Sequence, residues 1–251
     1  MFNNKMTDVL TQINGITNSV ILQYPQTIAL SESMDMMALV DFSSLDSDEF
    51  PDLGMKDSLG EFLSLIKLFP KDRDISIDNN VISVAHGRNS SSFITDNIVL
   101  MDAYKKDPAQ FTRTEQAPSV ASFEINVEDI KNIKSASGVF KYLTEVIFES
   151  KDGEMNISLG ATNKFNAKTN TYSVIKEADT NKEFNITIPV NNFKMLPVSN
   201  YQVDVKYNSD KDDYRILLTN SSLEGFKILM SVKIWFLICI NKIQFVYYTE
   251  H

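Results

Sequence analysis

The sequence predicts an α+β fold of two pseudo-repeated domains, each with an antiparallel sheet backed by two helices. Apolar residues recur at helical spacing in several segments, and short runs of alternating apolar and polar residues lie between them. The order of a helix, a set of strands, a second helix and a hairpin with one further strand occurs twice along the chain. The 251 residues, 43% hydrophobic and 23% charged, suit one large or two small globular domains.

The N-terminal domain is predicted to span residues 1–103. Its first helix covers residues 6–16, with Thr7 as the expected N-cap. The apolar side of this helix is formed by Met6, Val9, Leu10, Ile13 and Ile16. A second helix covers residues 56–69 and is closed by Pro70. The predicted strands are residues 20–23, 27–30, 36–42, 74–78, 81–85 and 91–95.

Residues 104–118 are predicted to form an extended linker between the domains. This stretch has two prolines, mixed charge and no hydrophobic periodicity. The C-terminal domain then spans residues 119–233, with a helix over 126–138 capped by Asn126 and a short helix over 190–196 stopped by Pro197. Its predicted strands are residues 120–125, 144–150, 154–159, 172–176, 183–188, 201–207, 214–219 and 226–232.

The composition excludes several kinds of catalytic or metal site. Cys239 is the only cysteine, and His86 and His251 are the only histidines. One cysteine supports neither a disulfide framework nor a cysteine-rich zinc site, and His86 is interpreted as the end of a strand. The sequence contains no glycine-rich phosphate-binding motif. We therefore predict no catalytic residue, metal site or cofactor, and the first residues do not resemble a signal peptide.

The charge balance argues against a protein that holds nucleic acid by bulk attraction. The formal net charge is −9, and DNA is itself a dense polyanion. Lysine is nevertheless separated from acidic residues on three predicted helices. Lys56 and Lys67 are eleven residues apart, which places them within about 20° of each other around a helix axis. Lys194 is the only charge in its helix, and Lys131 and Lys134 flank the apolar side of theirs.

Two interpretations of these lysines remain open from the residues alone. The first is an ordinary solvated helix face, since lysine is a good helix former. The second is a surface that contacts DNA phosphates without reading base sequence.

Several short motifs, kept in order and spacing over about residues 6–220, resemble the DNA sliding clamps of T-even-type bacteriophages. Each motif is weak by itself, and their colinearity is the specific feature. The motifs are residues 9–22, residues 59–66, Asp74-Ile75-Ser76-Ile77, Val127-Glu128-Asp129-Ile130, and Asn192-Phe193-Lys194-Met195-Leu196-Pro197 followed by Asn200-Tyr201.

The resemblance implies a DNA-clamp fold and a protein that is not an enzyme. Such clamps are homotrimeric rings that encircle duplex DNA and tether the replicative DNA polymerase, whose C-terminal peptide docks in an apolar pocket near the interdomain linker. An ATP-hydrolysing clamp loader opens and closes the ring, and the phage clamps also support late transcription, in the cytoplasm of the infected bacterial host cell. By position, the implied DNA-facing residues are Lys5, Lys56, Lys67, Lys131, Lys134 and Lys194. The implied pocket residues are Val40, Phe42, Tyr104 and Phe111.

Ring closure by pairing of edge strands would involve the strands near Phe93 and Tyr172. The tail, residues 234–251, departs from the family because it is apolar and carries the only tryptophan and the only cysteine. A frameshifted or read-through end is the leading hypothesis for the tail, ahead of an added strand or helix and of a membrane anchor. The alternative function is a trimeric, β-rich phage structural or adaptor protein that binds protein rather than DNA.

Overall fold

A computed structural model describes residues 3–45, 47–161 and 172–234. Within these residues the helices are α1 (Asn4–Asn14), α2 (Leu59–Lys67), α3 (Ala109–Gln116), α4 (Val127–Val139) and α5 (Val190–Met195), with 3-10 helices at Phe42–Leu45 and Ile98–Tyr104. The strands of the first half are β1 (Val20–Leu22), β2 (Gln26–Leu30), β3 (Met36–Asp41), β4 (Leu53–Met55), β5 (Asp74–Asp78), β6 (Val81–His86) and β7 (Asn89–Ile94). Those of the second half are β8 (Ser119–Ile125), β9 (Glu145–Lys151), β10 (Glu154–Gly160), β11 (Ser173–Glu177), β12 (Asp179–Thr180), β13 (Phe184–Pro189), β14 (Tyr201–Asn208), β15 (Asp213–Asn220), β16 (Phe226–Ser231) and β17 (Lys233–Ile234).

The two halves share one antiparallel sheet of seven strands, in the order β12-β8-β14-β15-β16-β3-β2. The junction is the pairing of β16 with β3, which runs from Phe226 opposite Val40 to Met230 opposite Met36. The prediction of an α+β fold with antiparallel sheets and few helices is confirmed. The sequence pattern did not predict that strands of the first half would complete a sheet of the second.

Gly225 is required at the entry to this junction. Its φ is +76°, and a Cβ atom there would lie 2.0 Å from Ser44 Oγ and 2.8 Å from the Asp41 carbonyl oxygen. The Asp41 amide donates a 2.9 Å hydrogen bond to the Gly225 carbonyl. Only glycine combines this left-handed backbone with so close an approach.

Two further sheets end in strands whose outer edges are unpaired within the part of the chain that the structure describes. The three-stranded sheet has the order β5-β6-β7, and the five-stranded sheet has the order β11-β10-β9-β13-β17. The strands near Phe93 and Tyr172 are therefore edge strands, as predicted. Ile94 on β7 is 76% exposed and Ile175 on β11 is 64% exposed.

Four helices form what we call the helical layer: α1, α2, α4 and α5. Helix α1 contacts α2, and α4 contacts α5. Gly15, just after α1, lies against the carbonyl of Met195 at the end of α5. The apolar sides of these helices and the inner faces of the sheets form one continuous core, in which Met6, Leu10 and Ile13 of α1 are fully buried. The helical spacing that predicted these positions is thus confirmed.

The structure corrects the predicted starts of two helices. Helix α1 is capped by Asn3, whose side-chain oxygen accepts a 2.8 Å hydrogen bond from the Met6 amide, and Thr7 lies inside the helix. Helix α2 begins at Leu59 rather than at residue 56. Asp57 has a φ of +56°, and its amide donates to Ser19 Oγ at 2.8 Å. The backbone before Leu59 is therefore engaged in a turn and cannot continue the helix.

The prediction of an extended linker is also wrong, because α3 lies inside it. Phe111 is fully buried beneath this helix. Pro108 occupies the N-cap position, and the Asp107 carboxylate accepts a 2.9 Å hydrogen bond from the Ala109 amide. One large apolar residue leaves no periodicity to detect, and the helix depends on packing that the local sequence does not reveal. The predicted tail, residues 234–251, falls outside the described residues apart from Ile234, which ends β17.

Candidate nucleic-acid interface and partner site

In the first half of the chain, the three lysines predicted to face DNA are all exposed, but they lie on different elements. Lys67 is exposed in the last turn of α2. Lys56 is exposed in the turn before α2, where its amide donates a 2.8 Å hydrogen bond to an Asp96 carboxylate oxygen. The prediction that Lys56 and Lys67 lie on one strip of a single helix is therefore wrong. Lys5 is exposed in the first turn of α1.

The second half places its lysines around the junction of α4 and α5. Lys131 and Lys194 are exposed. Lys134 is half-buried, and its Nζ donates a hydrogen bond to the Leu196 carbonyl oxygen just past α5. Burial lowers the pKa of Lys134 below its usual value. This hydrogen bond uses the ammonium group to satisfy a carbonyl at the end of α5 and links α4 to α5. Lys134 is therefore less available to a DNA phosphate than Lys131 and Lys194.

Lys141 is a residue that the predicted set left out. It lines a cavity of about 280 Å³ between the end of α4 and the start of α5, and Lys194 lines the same cavity. Ser137, Thr144 and Asn191 contribute polar side chains to its wall, and none of the described carboxylates lines it. Its position just past a helix end was visible in the sequence, but only the packing of α4 on α5 brings it beside Lys194.

Acidic side chains remain on the exposed surface of the helical layer, and one further acidic side chain is paired. Asp129 of α4 forms an ion pair with Lys176 of β11, and its carboxylate also accepts a 3.0 Å hydrogen bond from the Asn126 amide. Its charge is thereby compensated on the side towards the five-stranded sheet. Asp8, Glu61 and Glu128 are exposed on α1, α2 and α4. The layer is therefore mixed in charge, with lysine in excess at the α4–α5 junction.

The residues predicted to line a partner pocket are mostly core residues. Val40 and Phe42 are fully buried in the main core. Phe111 is fully buried in a second, smaller cluster, and Tyr104 is half-buried at the end of its 3-10 helix. Because Val40, Phe42 and Phe111 have no exposed surface, they line no open pocket in this conformation.

An open groove does lie beside the linker helix, on the face of the seven-stranded sheet that points away from the helical layer. Its volume is about 400 Å³. Met37 and Leu229 form an apolar part of the lining. The cationic residues on the lining are Arg113, Lys206, Lys211 and Arg215. Arg215 is paired with Asp213 at 2.8 Å. We call this feature the outer groove; sequence reasoning missed it because it depends on where α3 packs.

Among the described residues, no group of three or more histidine, cysteine or acidic side chains is arranged to hold a metal ion. Within these same ranges, no helix is both long and apolar enough to span a bilayer.

Comparison with known proteins gives structural similarity at low sequence identity. No protein-family model matches the sequence, and no curated protein matches it. The proliferating cellular nuclear antigen (PCNA) of Entamoeba histolytica superposes with a TM-score of 0.63 at 9% identity, over 91% of this chain and 94% of that chain.

Two other solved structures are similar. PCNA of A. fulgidus, bound to the C-terminal region of FEN-1, gives a TM-score of 0.62 at 13% identity, over 91% of this chain and 95% of that chain. The PCNA2–PCNA3 complex of Sulfolobus tokodaii gives 0.60 at 12% identity, over 91% of this chain and 96% of that chain. At such identities the similarity shows the fold: this chain has the DNA sliding-clamp fold.

Proposed function

We propose that the protein is a sliding clamp of the T-even bacteriophage type, which encircles duplex DNA as a homotrimer and tethers the replicative DNA polymerase. The observation that carries the proposal is a clamp fold over 91% of the chain together with lysines exposed on its helical layer. A net charge of −9 accompanies those lysines. On this proposal the chain is a binding protein, not an enzyme, and it needs no cofactor.

In the proposed mechanism the ring stays on DNA because it encircles the duplex, not because it binds the duplex tightly. A ring around DNA stays bound without a strong contact, so it can slide when its contacts are weak and independent of sequence. Lys5, Lys56, Lys67, Lys131 and Lys194 are the proposed phosphate contacts, with Lys141 added beside Lys194. Lys134 acts mainly by holding α4 against α5. The negative charge of the whole chain disfavours binding of DNA to the remaining surface.

Ring closure is proposed to use the edge strands β7 and β11 of neighbouring copies. Both edges are unpaired within the described residues, and each strand carries an exposed isoleucine. Pairing them between copies would satisfy the free backbone groups and cover both apolar side chains. PCNA2 and PCNA3 of Sulfolobus tokodaii form a complex, which supports association between chains of this fold.

The polymerase is proposed to dock a C-terminal peptide in an apolar site near the interdomain linker. PCNA of A. fulgidus binds the C-terminal region of FEN-1, which supports tail docking on this fold. An ATP-hydrolysing clamp loader opens the ring in the proposed cycle. The phage origin, the role in late transcription and the location in the host cytoplasm depend on the colinear sequence motifs.

Loader-dependent DNA synthesis on primed circular DNA tests the proposal. With the cognate polymerase and loader, the protein should lengthen the products of a single binding event, and linearising the template should abolish retention because the ring slides off the ends. Absence of stimulation with these partners would contradict the clamp function and leave the structural or adaptor role. The assembly's mass, measured by sedimentation, separates a trimer from a dimer.

A further inference from the structure

The linker helix α3 is too short and too polar to be stable by itself. It has eight residues, whereas isolated helices shorter than about 12–15 residues are marginal in water. Phe111 is its only large apolar residue. Contacts with the sheet must therefore hold it in place.

The first of these contacts is apolar. Phe111 is fully buried in a cluster with Ile28, Leu39, Leu217 and Leu229, which come from β2, β3, β15 and β16. These four side chains lie on the outer face of the seven-stranded sheet and are separate from the main core. Phe111 thus fills an apolar depression formed by strand residues, and it is the only residue of α3 in this cluster.

The second contact is ionic and lies one helical turn further on. Glu115 follows Phe111 by four residues, which places both side chains on the same side of α3. Its carboxylate forms an ion pair with Lys227 Nζ of β16. The Glu115 carbonyl oxygen also accepts a 3.0 Å hydrogen bond from Lys206 Nζ of β14. The sheet therefore presents an apolar depression and, one turn away, cationic groups.

We propose that this face of the sheet is a docking site for a helical segment with an aromatic residue followed four residues later by a carboxylate, and that α3 is its resident, displaceable occupant. A partner segment of this chemistry competes with α3 rather than binding beside it. Further acidic residues of the partner would meet the cationic residues that the sheet and its turn contribute to the outer groove, Lys206, Lys211 and Arg215. The inference relies on the proposed function only for the view that a polymerase tail is the natural competitor.

This proposal reverses the role expected of Phe111. If Phe111 lined a partner pocket, its removal would weaken partner binding. If Phe111 is the occupant, its removal empties the site and strengthens binding of a competing segment. The sign of one mutational effect therefore distinguishes the two roles.

The test uses the full chain and a fluorescein-labelled peptide of its own residues 107–117, followed by fluorescence anisotropy. Phe111→Ala in the protein should bind this peptide about tenfold or more tightly than the wild type, because the wild-type site is already occupied. Glu115→Gln keeps Phe111 and should tighten binding about twofold to fivefold by weakening the hold on α3. The matched control is Tyr142→Ala, which removes an exposed aromatic residue past α4 and should leave binding unchanged.

Peptide variants test the chemistry. A peptide in which alanine replaces Phe111 should not bind the Phe111→Ala protein. A peptide with Glu115→Gln should bind it more weakly, and adding Lys227→Gln to the protein should abolish that difference. Equal binding by wild type and Phe111→Ala, or by the peptides with and without phenylalanine, would overturn the proposal. So would displacement of the peptide by a (dT)15 oligonucleotide as readily as by unlabelled peptide.

Hydrogen exchange of the wild type gives a readout that does not depend on how the Phe111→Ala variant folds. Saturating peptide should speed amide exchange in α3 while the strands beneath stay protected. Unchanged exchange in α3 at saturation would count against displacement, and peptide-induced dimerisation would instead indicate that a second copy occupies the site. These assays contain no DNA, loader or polymerase, so their failure is distinct from failure of the proposed clamp function.

Discussion

At the scale of single residues, the exposed lysines of the helical layer carry the proposed contact with DNA. We expect Lys67→Glu, Lys131→Glu and Lys194→Glu together to shorten retention of the loaded protein on nicked circular DNA severalfold. Each lost phosphate contact should also lower the salt-dependence slope by about 1. The measurement is dissociation at several salt concentrations. Lys151→Glu, an exposed lysine at the end of β9, is the matched control, and an equal effect of this control would contradict the assignment.

Tyr201 gives a residue-scale prediction about pH. Its hydroxyl donates a 3.0 Å hydrogen bond to the Pro197 carbonyl, and burial raises the pKa of this phenol above its ordinary value. A raised pKa in the folded state means that the neutral phenol stabilises the fold at pH values below about 10, and that this contribution is lost as the pH rises further. The free energy of unfolding should therefore fall above about pH 10 in the wild type and fall less steeply in Tyr201→Phe. Parallel pH profiles in denaturant titrations would refute this.

At the scale of secondary-structure elements, α4 depends on its first turn. The Asn126 side chain accepts a 2.9 Å hydrogen bond from the Asp129 amide, and the Asp129 carboxylate accepts one from the Asn126 amide. Asn126→Ala should destabilise the protein by about 1 kcal/mol, because it leaves the Asp129 amide without its side-chain acceptor. Thermal unfolding measures the change. Asn126→Asp should restore most of the stability, and equal loss in both variants would argue against capping.

Local sequence patterns predict some helices and strands of this fold and miss others. Helix α1 and the hairpin of β5 and β6 follow from their own spacing of apolar residues and turn residues. Strands β4, β12 and β17 have three residues or fewer, too few for a period to be seen. Helix α3 offers one large apolar residue, and its stability comes from strands distant in sequence.

The candidate sites were predictable only in part for a related reason. Alternation along β3 shows that Val40 and Leu39 point to opposite faces, but it does not tell which face is the main core. The structure places Val40 in that core and Leu39 under α3. Lys56 was assigned to a helix because the left-handed backbone of Asp57 leaves no mark in the apolar pattern. Lys141 becomes part of a site only through the contact of α4 with α5.

At the scale of the whole molecule, assembly is predicted to depend on the two edge strands. Ile94→Asp on β7 or Ile175→Asp on β11 should lower the assembled mass at micromolar concentration while leaving the circular dichroism spectrum unchanged, since each carboxylate would be buried against the neighbouring copy. Sedimentation velocity measures the mass. Met34→Asp, at a residue 68% exposed with a φ of 60°, is the control.

Hydrogen exchange on the assembled protein provides an independent check of the same interface. The outward amides of β7 and β11 should exchange slowly in the assembly and quickly in the Ile94→Asp and Ile175→Asp variants. Rapid exchange of both strands in the intact assembly would show that they do not form the interface.

The seven-stranded sheet also has a mechanical consequence. Five residue pairs join β3 to β16, so bending one half of the chain against the other would stretch a continuous ladder of backbone hydrogen bonds. This junction therefore joins the two halves of the chain stiffly and is not itself a hinge. In the proposed ring, an opening force would therefore separate neighbouring copies rather than bend one chain. The interface between copies that separates most readily would set how fast the ring opens.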